Sequence, residues 1–278
     1  MTFSSVQALL EGVSSARRIH LIDLAIRGGT QWTIFMQALT ERRECPIELL
    51  KISAVGIRGG QKIDEVGMNL DSFAKSLNIP LVFEKIFVPD LDKLKEEHFH
   101  IEDNEAVAVF CSNILKTMVS RPKCLEALML VLRRLNPSIM LVNEVEANHN
   151  SLSFVDRFIE ALFFYGAYFN CLDACMSPDK RYRQAIELVY LREGIRNAIV
   201  VEGDERLNRN VKTEVWRAFF ATFGIEEIEL GESALYQGSL VVRQFACGNF
   251  CTFDKIGKFL TIGWKGTPVF SVSAWKFH

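Results

Sequence analysis

The residues best placed to do chemistry gather at two points. The first is Asp23, which closes the apolar run Ile19-His20-Leu21-Ile22 and is followed by Ala25, Arg27, Gly28 and Gly29. An acid at the end of a first strand, then glycines, then a helix starting near Gln31 and Trp32, is the order in which many α/β folds build a nucleotide site. Such a site makes two demands. Small residues at alternate positions let the backbone approach the ligand, and an acid at the end of the second strand accepts hydrogen bonds from ribose hydroxyls. The alternate positions after Asp23 are Ala25, Arg27 and Gly29, so an arginine stands where the chain would have to press against a cofactor. The second apolar run ends Ile52-Ser53-Ala54-Val55-Gly56, without a carboxylate. With both demands unmet, Asp23 and the glycines are expected to shape the turn and cap the helix that carries Trp32. No Lys-Ser/Thr follows the glycines, which excludes a Walker-type phosphate loop.

The second point is Glu144, Glu146 and His149, just beyond the fifth apolar run, at the sheet edge where α/β proteins place ligands. These three could form an acid–base or metal group. The simpler reading is a polar loop that caps the aromatic helix after it. His20, inside strand one, reads as a hydrogen-bonded core histidine, while His98 and His100 sit in a charged connection. Seven cysteines are spread through the chain, and most lie in apolar segments, as buried free thiols in a reducing compartment would. The pairs Cys171/Cys175 and Cys247/Cys251 are spaced more loosely than the CxxC of structural zinc sites, and the histidine nearest the first pair is His149. Neither a Gly-x-Ser-x-Gly elbow nor a His-Glu-x-x-His helix occurs. The sequence therefore assigns no catalytic, cofactor-binding or metal-binding residue.

The elements that would hold these residues alternate. Apolar runs at 19–23, 48–55, 81–88, 106–111 and 139–145 read as strands. Between them, helical spacing appears over 31–43, 63–77 and in two pieces, 115–119 and 125–135, split by Pro122. A helix over 1–16 precedes them. Runs of Val, Ile and Leu without alternation are what a strand covered on both faces requires. Gly56, Gly59 and Gly60 are expected to end the second strand. In the second half, Ser153 can cap an aromatic helix through Phe154, Phe158, Leu162, Phe163 and Phe169, and residues 181–194 read as helical. Asp204 is expected to cap a deeply packed helix through Leu207, Val211, Val215, Phe219 and Phe223, which Gly224 ends. Residues 225–230 and a helix over 232–247 lead to three strands, 250–253, 259–264 and 269–277, with turns at Asp254-Lys255 and Lys265-Gly266-Thr267-Pro268.

The expected fold is thus α/β and Rossmann-like. It has a mostly parallel sheet with helices on both faces and an antiparallel C-terminal hairpin, the arrangement of S-adenosylmethionine-dependent methyltransferases. With 49% apolar and 24% charged residues the chain has the balance of a globular protein, and a net charge of −2 gives no general pull toward nucleic acid or anionic membrane. The best apolar run, residues 161–169, is far short of the ~20 residues that span a bilayer. No secretory signal is apparent, and no linker or repeat divides the chain, so a single domain over 1–278 is expected.

Several short motifs in order resemble those of one family. Ile19-His20-Leu21-Ile22-Asp23 is similar to the VHIID motif of plant GRAS-domain proteins, and Gly29-Thr30-Gln31-Trp32 continues it. Ser273-Ala274-Trp275 resembles the SAW motif that closes the same domain. Pro137, the helix around Phe158 and Tyr165, and Arg192-Glu193 match the dispersed PFYRE motif. Arg192-Glu193 could serve either as a structural ion pair or as a recognition element. Glu202-Gly203 with Arg206, Arg209 and Trp216 is similar to the segment ahead of SAW, and residues 62–135 correspond to the second leucine-rich stretch. The C-terminal third, including Gly263-Trp264-Lys265-Gly266-Thr267-Pro268, looks closest to the DELLA-like branch.

The resemblance implies a nuclear plant regulator of transcription, methyltransferase-like in fold and non-enzymatic, without a cofactor. It implies pairing with other GRAS proteins, as a homo- or heterodimer, and with DNA-binding factors, often of the zinc-finger type, so that DNA is reached only indirectly. Against the family pattern the chain starts at the tail of the first leucine-rich stretch, without the helical cap that normally precedes VHIID. Two other readings follow from the residues. One is S-adenosylmethionine binding or methyl transfer through the strand-one loop. The other is direct DNA contact by a patch including Arg206, Arg209 and Lys212, which the near-neutral charge disfavours.

Overall fold

The computed structural model describes residues 1–57, 61–176 and 180–278. Helix α1 (Thr2–Gly12) leads into five strands with three α-helices between them: β1 (Arg18–Asp23), α2 (Thr30–Thr40), β2 (Leu49–Ile57), α3 (Gln61–Ser76), β3 (Leu81–Val88), β4 (Ala106–Ser112), α4 (Pro122–Leu135) and β5 (Ile139–Val145). The second half holds α5 (Phe154–Met176), α6 (Lys180–Ile186), α7 (Arg192–Ile195), α8 (Thr213–Ala221), β6 (Ile225–Ile228) and α9 (Glu232–Gln244). It closes with β7 (Cys251–Ile256), β8 (Phe259–Trp264) and β9 (Thr267–Phe277).

The strands form one sheet in the order β3-β2-β1-β4-β5-β9-β8-β7, with β6 also on β9. The first five are parallel. Strand β9 runs antiparallel to β5, Met140 facing Trp275 and Val145 facing Phe270. Its other edge is shared, the first half pairing with β8 and the second half with β6. Alternate residues of each strand feed two separate cores. Ile19 and Leu21 of β1 face α1, α2 and α3, whose Leu9, Trp32, Phe35 and Leu70 pack there. Ile22 faces the other way, toward Leu125, Leu128 and Leu132 of α4 and Trp216 and Phe220 of α8. This two-sided burial is the reason the strands read as continuous apolar runs.

The Rossmann-like sheet with its antiparallel C-terminal part matches the expectation from sequence, and several element boundaries differ from it for local reasons. Pro122 does not split a helix; it takes the first position of α4, where its missing N–H is unneeded. The helix expected from Asp204 starts only at Thr213, because Glu146 accepts the Thr213 N–H and hydroxyl and caps it there. Residues 206–212 instead run along the sheet edge, with Arg209 N–H bonded to Lys116 O and His149 N–H to Asn210 O. Leu207 and Val215 are consequently exposed, at 60% and 51%, while Trp216 and Phe220 fill the core. Residues 187–200 continue the helical arm of α6 and α7 through π-helical turns at Glu187–Leu191 and Arg196–Val200, the second of which holds Ala198. Asp254 and Lys255 lie within β7, and the turn falls at Gly257. Gly224 does adopt the left-handed conformation after α8 (φ 69°). Of the glycines expected to end β2, Gly59 and Gly60 lie outside the described residues.

Candidate functional site

The strand-one loop is closed on itself. Asp23 is buried, and both carboxylate oxygens are engaged. Oδ1 accepts from Ala25 N–H (3.1 Å), and Oδ2 accepts from Trp32 Nε1 (2.9 Å) and Gln31 Nε2 (3.2 Å). Burial raises its pKa to about 6 against the pull of those three donors and of Arg27. Gly29 precedes α2 at φ 70°, and a Cβ there would lie 2.8 Å from Val66 Cγ1, so the position needs glycine on two counts. No carboxylate stands between Ile52 and Ile57 to meet a ribose. The residues of this loop therefore do not fit S-adenosylmethionine: the acid that would receive it is spent on holding Gln31 and Trp32.

His20 is buried on the α4 side of β1, its Nε2 2.8 Å from Ser53 Oγ and its Nδ1 3.3 Å from Glu105 Oε2. Burial, aided by Lys51 and His100, lowers its pKa to about 3, so the ring is neutral and this contact is not an ion pair at neutral pH. Ile22 and Ala274 are core residues. Trp275 is fully buried, donates Nε1–H to Ser273 Oγ (2.8 Å) and meets Phe220 edge-on at 4.8 Å. The closing Ser-Ala-Trp triplet thus anchors β9 between β5 and α8.

Glu144, Glu146 and His149 do not converge. Glu144 accepts Leu115 N–H (2.8 Å) and fixes the turn after β4, burial pushing its pKa up to about 7. Glu146 caps α8, and His149 Nδ1 pairs with the Asn210 amide at 2.8 Å. Burial lowers the pKa of this imidazole to about 4. Among the described residues, the group of three potential metal-binding side chains is instead Asp90, Asp92 and Cys124, where Asp90 is already paired with Arg121. Cys171 and Cys175 lie 3.9 Å apart near Cys247, and all seven cysteines are free thiols.

Arg192 and Glu193 are exposed on α7 and form no ion pair with each other or with any described residue, so of the two roles open to them the structural pair is not formed. Arg206 is buried beside Arg157 and Arg209, its Nε and Nη1 without partners. Arg209 donates to the carbonyls of Arg206 and Gly203, and Arg157 to Ala198 O, Ser151 O and the Glu202 carboxylate, so these arginines brace the residues 197–209 segment. Trp216 stacks on Phe220 at 5.9 Å.

What the sequence reading missed is a cleft of about 570 Å³ at the C-terminal ends of β4 and β5. Arg27 and Lys116 border it from the loops after β1 and β4; Tyr165 and Tyr168 from α5; Tyr190 and Glu193 from the helical arm. His149 lies at its edge, stacked on Tyr165 at 5.7 Å. Only position gives a hint of it in the sequence, since Lys116 and His149 each follow a parallel strand on the ligand-binding edge of such sheets.

Sheet and loop together define a methyltransferase-type Rossmann-like fold whose strand-one loop is closed by the hydrogen bonds of Asp23. The sequence profile of the GRAS domain family matches residues 1–276, and the chain belongs to that family. It is 31% identical over 277 residues to DELLA protein GAI1 of Vitis vinifera and 30% identical over 277 residues to DELLA protein RGL1 of Arabidopsis thaliana. It is 32% identical over 280 residues to Protein SLENDER RICE1-LIKE 1 of Oryza sativa subsp. japonica. Each comparison covers 99% of this chain but 47%, 53% and 56% of the relative, so the chain spans about half the length of the curated relatives it matches. The crystal structure of SCL7 of Oryza sativa superposes with a TM-score of 0.93 at 28% identity, over 99% of this chain and 78% of that one. The chain is a DELLA-like plant GRAS protein. No helix of the described residues is long and apolar enough to cross a membrane.

Proposed function

We propose that this protein is a nuclear regulator of plant transcription that works as a non-enzymatic interaction scaffold, its chain forming a single GRAS-type domain. It pairs with other GRAS proteins and with DNA-binding factors of the zinc-finger type, and meets DNA only through them. The observation that carries this reading is the outward face of α5. Phe154, Val155, Phe158, Ile159, Leu162 and Phe163 form a continuous apolar stripe on that face, with Leu162 59% and Phe163 66% exposed. A continuous apolar stripe on a helix surface marks a protein contact, since scattered apolar residues would need no such explanation. The motif residues divide accordingly. His20, Ile22, Asp23, Gly29, Gln31, Trp32, Arg206, Arg209, Trp216, Ser273, Ala274 and Trp275 build the frame, whereas Arg192 and Glu193 are free to meet a partner.

The test is capture of GRAS proteins and zinc-finger factors from plant nuclear extract by the tagged full chain, compared with a Leu162→Asp/Phe163→Asp variant. The wild-type chain retains such partners and the variant loses them. Retention of nothing by the wild type, or equal retention by both, removes the reading. Saturable S-adenosylmethionine binding abolished by Asp23→Ala would replace it with a cofactor-dependent one.

A further inference from the structure

The cleft at the ends of β4 and β5 has no task in a scaffold whose contacts lie along the outside of α5. Its chemistry is uneven in an informative way. Arg27 and Lys116 border it together, and no described residue gives the side chain of either a hydrogen bond or an ion pair within salt-bridge distance. Burial lowers the pKa of the Lys116 amine, the charge of Glu144 opposing this and that of Arg27 adding to it. Glu144 Oε1 accepts Leu115 N–H in the turn after β4, and its Oε2 is buried without a hydrogen-bond partner. Asp23 and Glu144 act on these cations electrostatically, but neither carboxylate lies within salt-bridge distance of them, and an anion between Arg27 and Lys116 would offset their mutual repulsion.

A second observation is independent of charge. His149 is 1% exposed, and its Nε2 is buried without any partner; the Oδ1 of Asn210, also on the cleft, is in the same state. Buried polar atoms are nearly always hydrogen-bonded, so two orphans beside one cleft point to a missing partner. With the Asn210 amide donating to Nδ1, the proton of the neutral ring sits on Nε2, which makes this atom a donor. One part of the remaining wall is apolar and aromatic, with Phe164, Tyr165 and Tyr168 of α5 and Val145 and Phe270 at the strand ends; the helical arm adds Tyr190 and one acid, Glu193, and Asn113, Asn197 and Asn208 also line it. The size, about 570 Å³, falls in the range of small-molecule sites.

We propose that this cleft binds a small organic carboxylate, its charge between Arg27 and Lys116 and an apolar ring against Tyr165, Tyr168 and Phe270. His149 Nε2–H donates to a polar oxygen of the same ligand. The site is distinct from a nucleotide site: it lies on the β4–β5 side, and the Asp23 loop is closed. It also stands apart from the scaffold reading, because the α5 stripe and the cleft are on different faces of the helix.

Calorimetry on the full chain tests this with three probes: 1-naphthoate, its neutral isostere 1-naphthamide, and inorganic phosphate. Naphthoate is expected to bind saturably in the sub-millimolar range. Naphthamide should be weaker by about tenfold or more, the usual worth of a charge-assisted hydrogen bond, and phosphate likewise, because it leaves the aromatic wall unused. Lys116→Met and the surface change Arg27→Gln should each weaken naphthoate by about tenfold, while Lys123→Gln, an exposed charge change elsewhere, should not. Because Arg27 is exposed, its variant folds even if the Lys116 variant does not. Absence of saturable naphthoate binding overturns the proposal. So does equal affinity for acid and amide, equal affinity for phosphate, or indifference to Arg27→Gln.

Discussion

Replacing Asp23 with asparagine should make the protein's stability less sensitive to pH, in a direction fixed by the loop. Asp23 has a folded pKa of about 6, above its ordinary 3.8, because burial outweighs the hydrogen bonds from Ala25, Trp32 and Gln31. A carboxyl whose pKa is raised on folding keeps its proton in the folded state where the unfolded chain has lost it. Its contribution is therefore best at low pH, declines as pH rises from about 4 to about 6, and stays at its full penalty above that. The shift of roughly two units corresponds to about 3 kcal/mol in all, of which a small part is already felt at pH 4. An asparagine in place of Asp23 carries no charge and keeps the shape, so its other effects stay constant with pH. The difference in unfolding free energy, Asp23→Asn minus wild type, should grow by about 2–3 kcal/mol between roughly pH 4 and pH 7.5. Equilibrium urea unfolding followed by tryptophan fluorescence at several pH values measures it, with Trp32 as a reporter next to the site. Using the difference matters because Glu144, raised to about 7, adds a trend of the same sign, while His20 and His149, lowered to about 3 and about 4, add opposite ones. A difference that is flat across this range, or that shrinks, would refute the view that burial of the charge dominates at Asp23.

Four further substitutions test the same contacts. Gly29→Ala should cost about 1–3 kcal/mol, since φ there is positive and the new Cβ meets Val66, with circular dichroism melts as the check. Trp275→Ala should cost about 3–5 kcal/mol by opening a core cavity, and Ser273→Ala about 1–2 kcal/mol by leaving the indole N–H without its acceptor; a melting temperature unchanged by either would contradict their placement. Glu146→Ala should remove the cap of α8 at a cost of about 1–2 kcal/mol and speed amide exchange at Thr213 and Glu214, a change that hydrogen-exchange mass spectrometry resolves.

By itself the sequence determined the frame. Strand periodicity is a short-range property, so residues 81–88 and 139–145 could be delimited to the residue from apolar runs and turn signals alone. The mismatch of Arg27 and the missing acid after Ile52 were also visible as residue types at fixed spacing. Tertiary structure decided what depends on residues far apart. Glu146, 67 residues away from Thr213, set where α8 begins and so exposed Leu207 and Val215. Whether α5 buries its aromatic residues could not be read from their spacing, because a stripe of phenylalanines looks the same whether it meets a sheet or solvent. The cleft is the furthest case. Arg27, Lys116, His149 and Tyr190 are widely separated in the chain, and only the parallel order of β1, β4 and β5 brings their loops to one edge. Local pattern sets which elements form, while burial, unpaired charge and orphaned hydrogen-bonding groups exist only once those elements are packed.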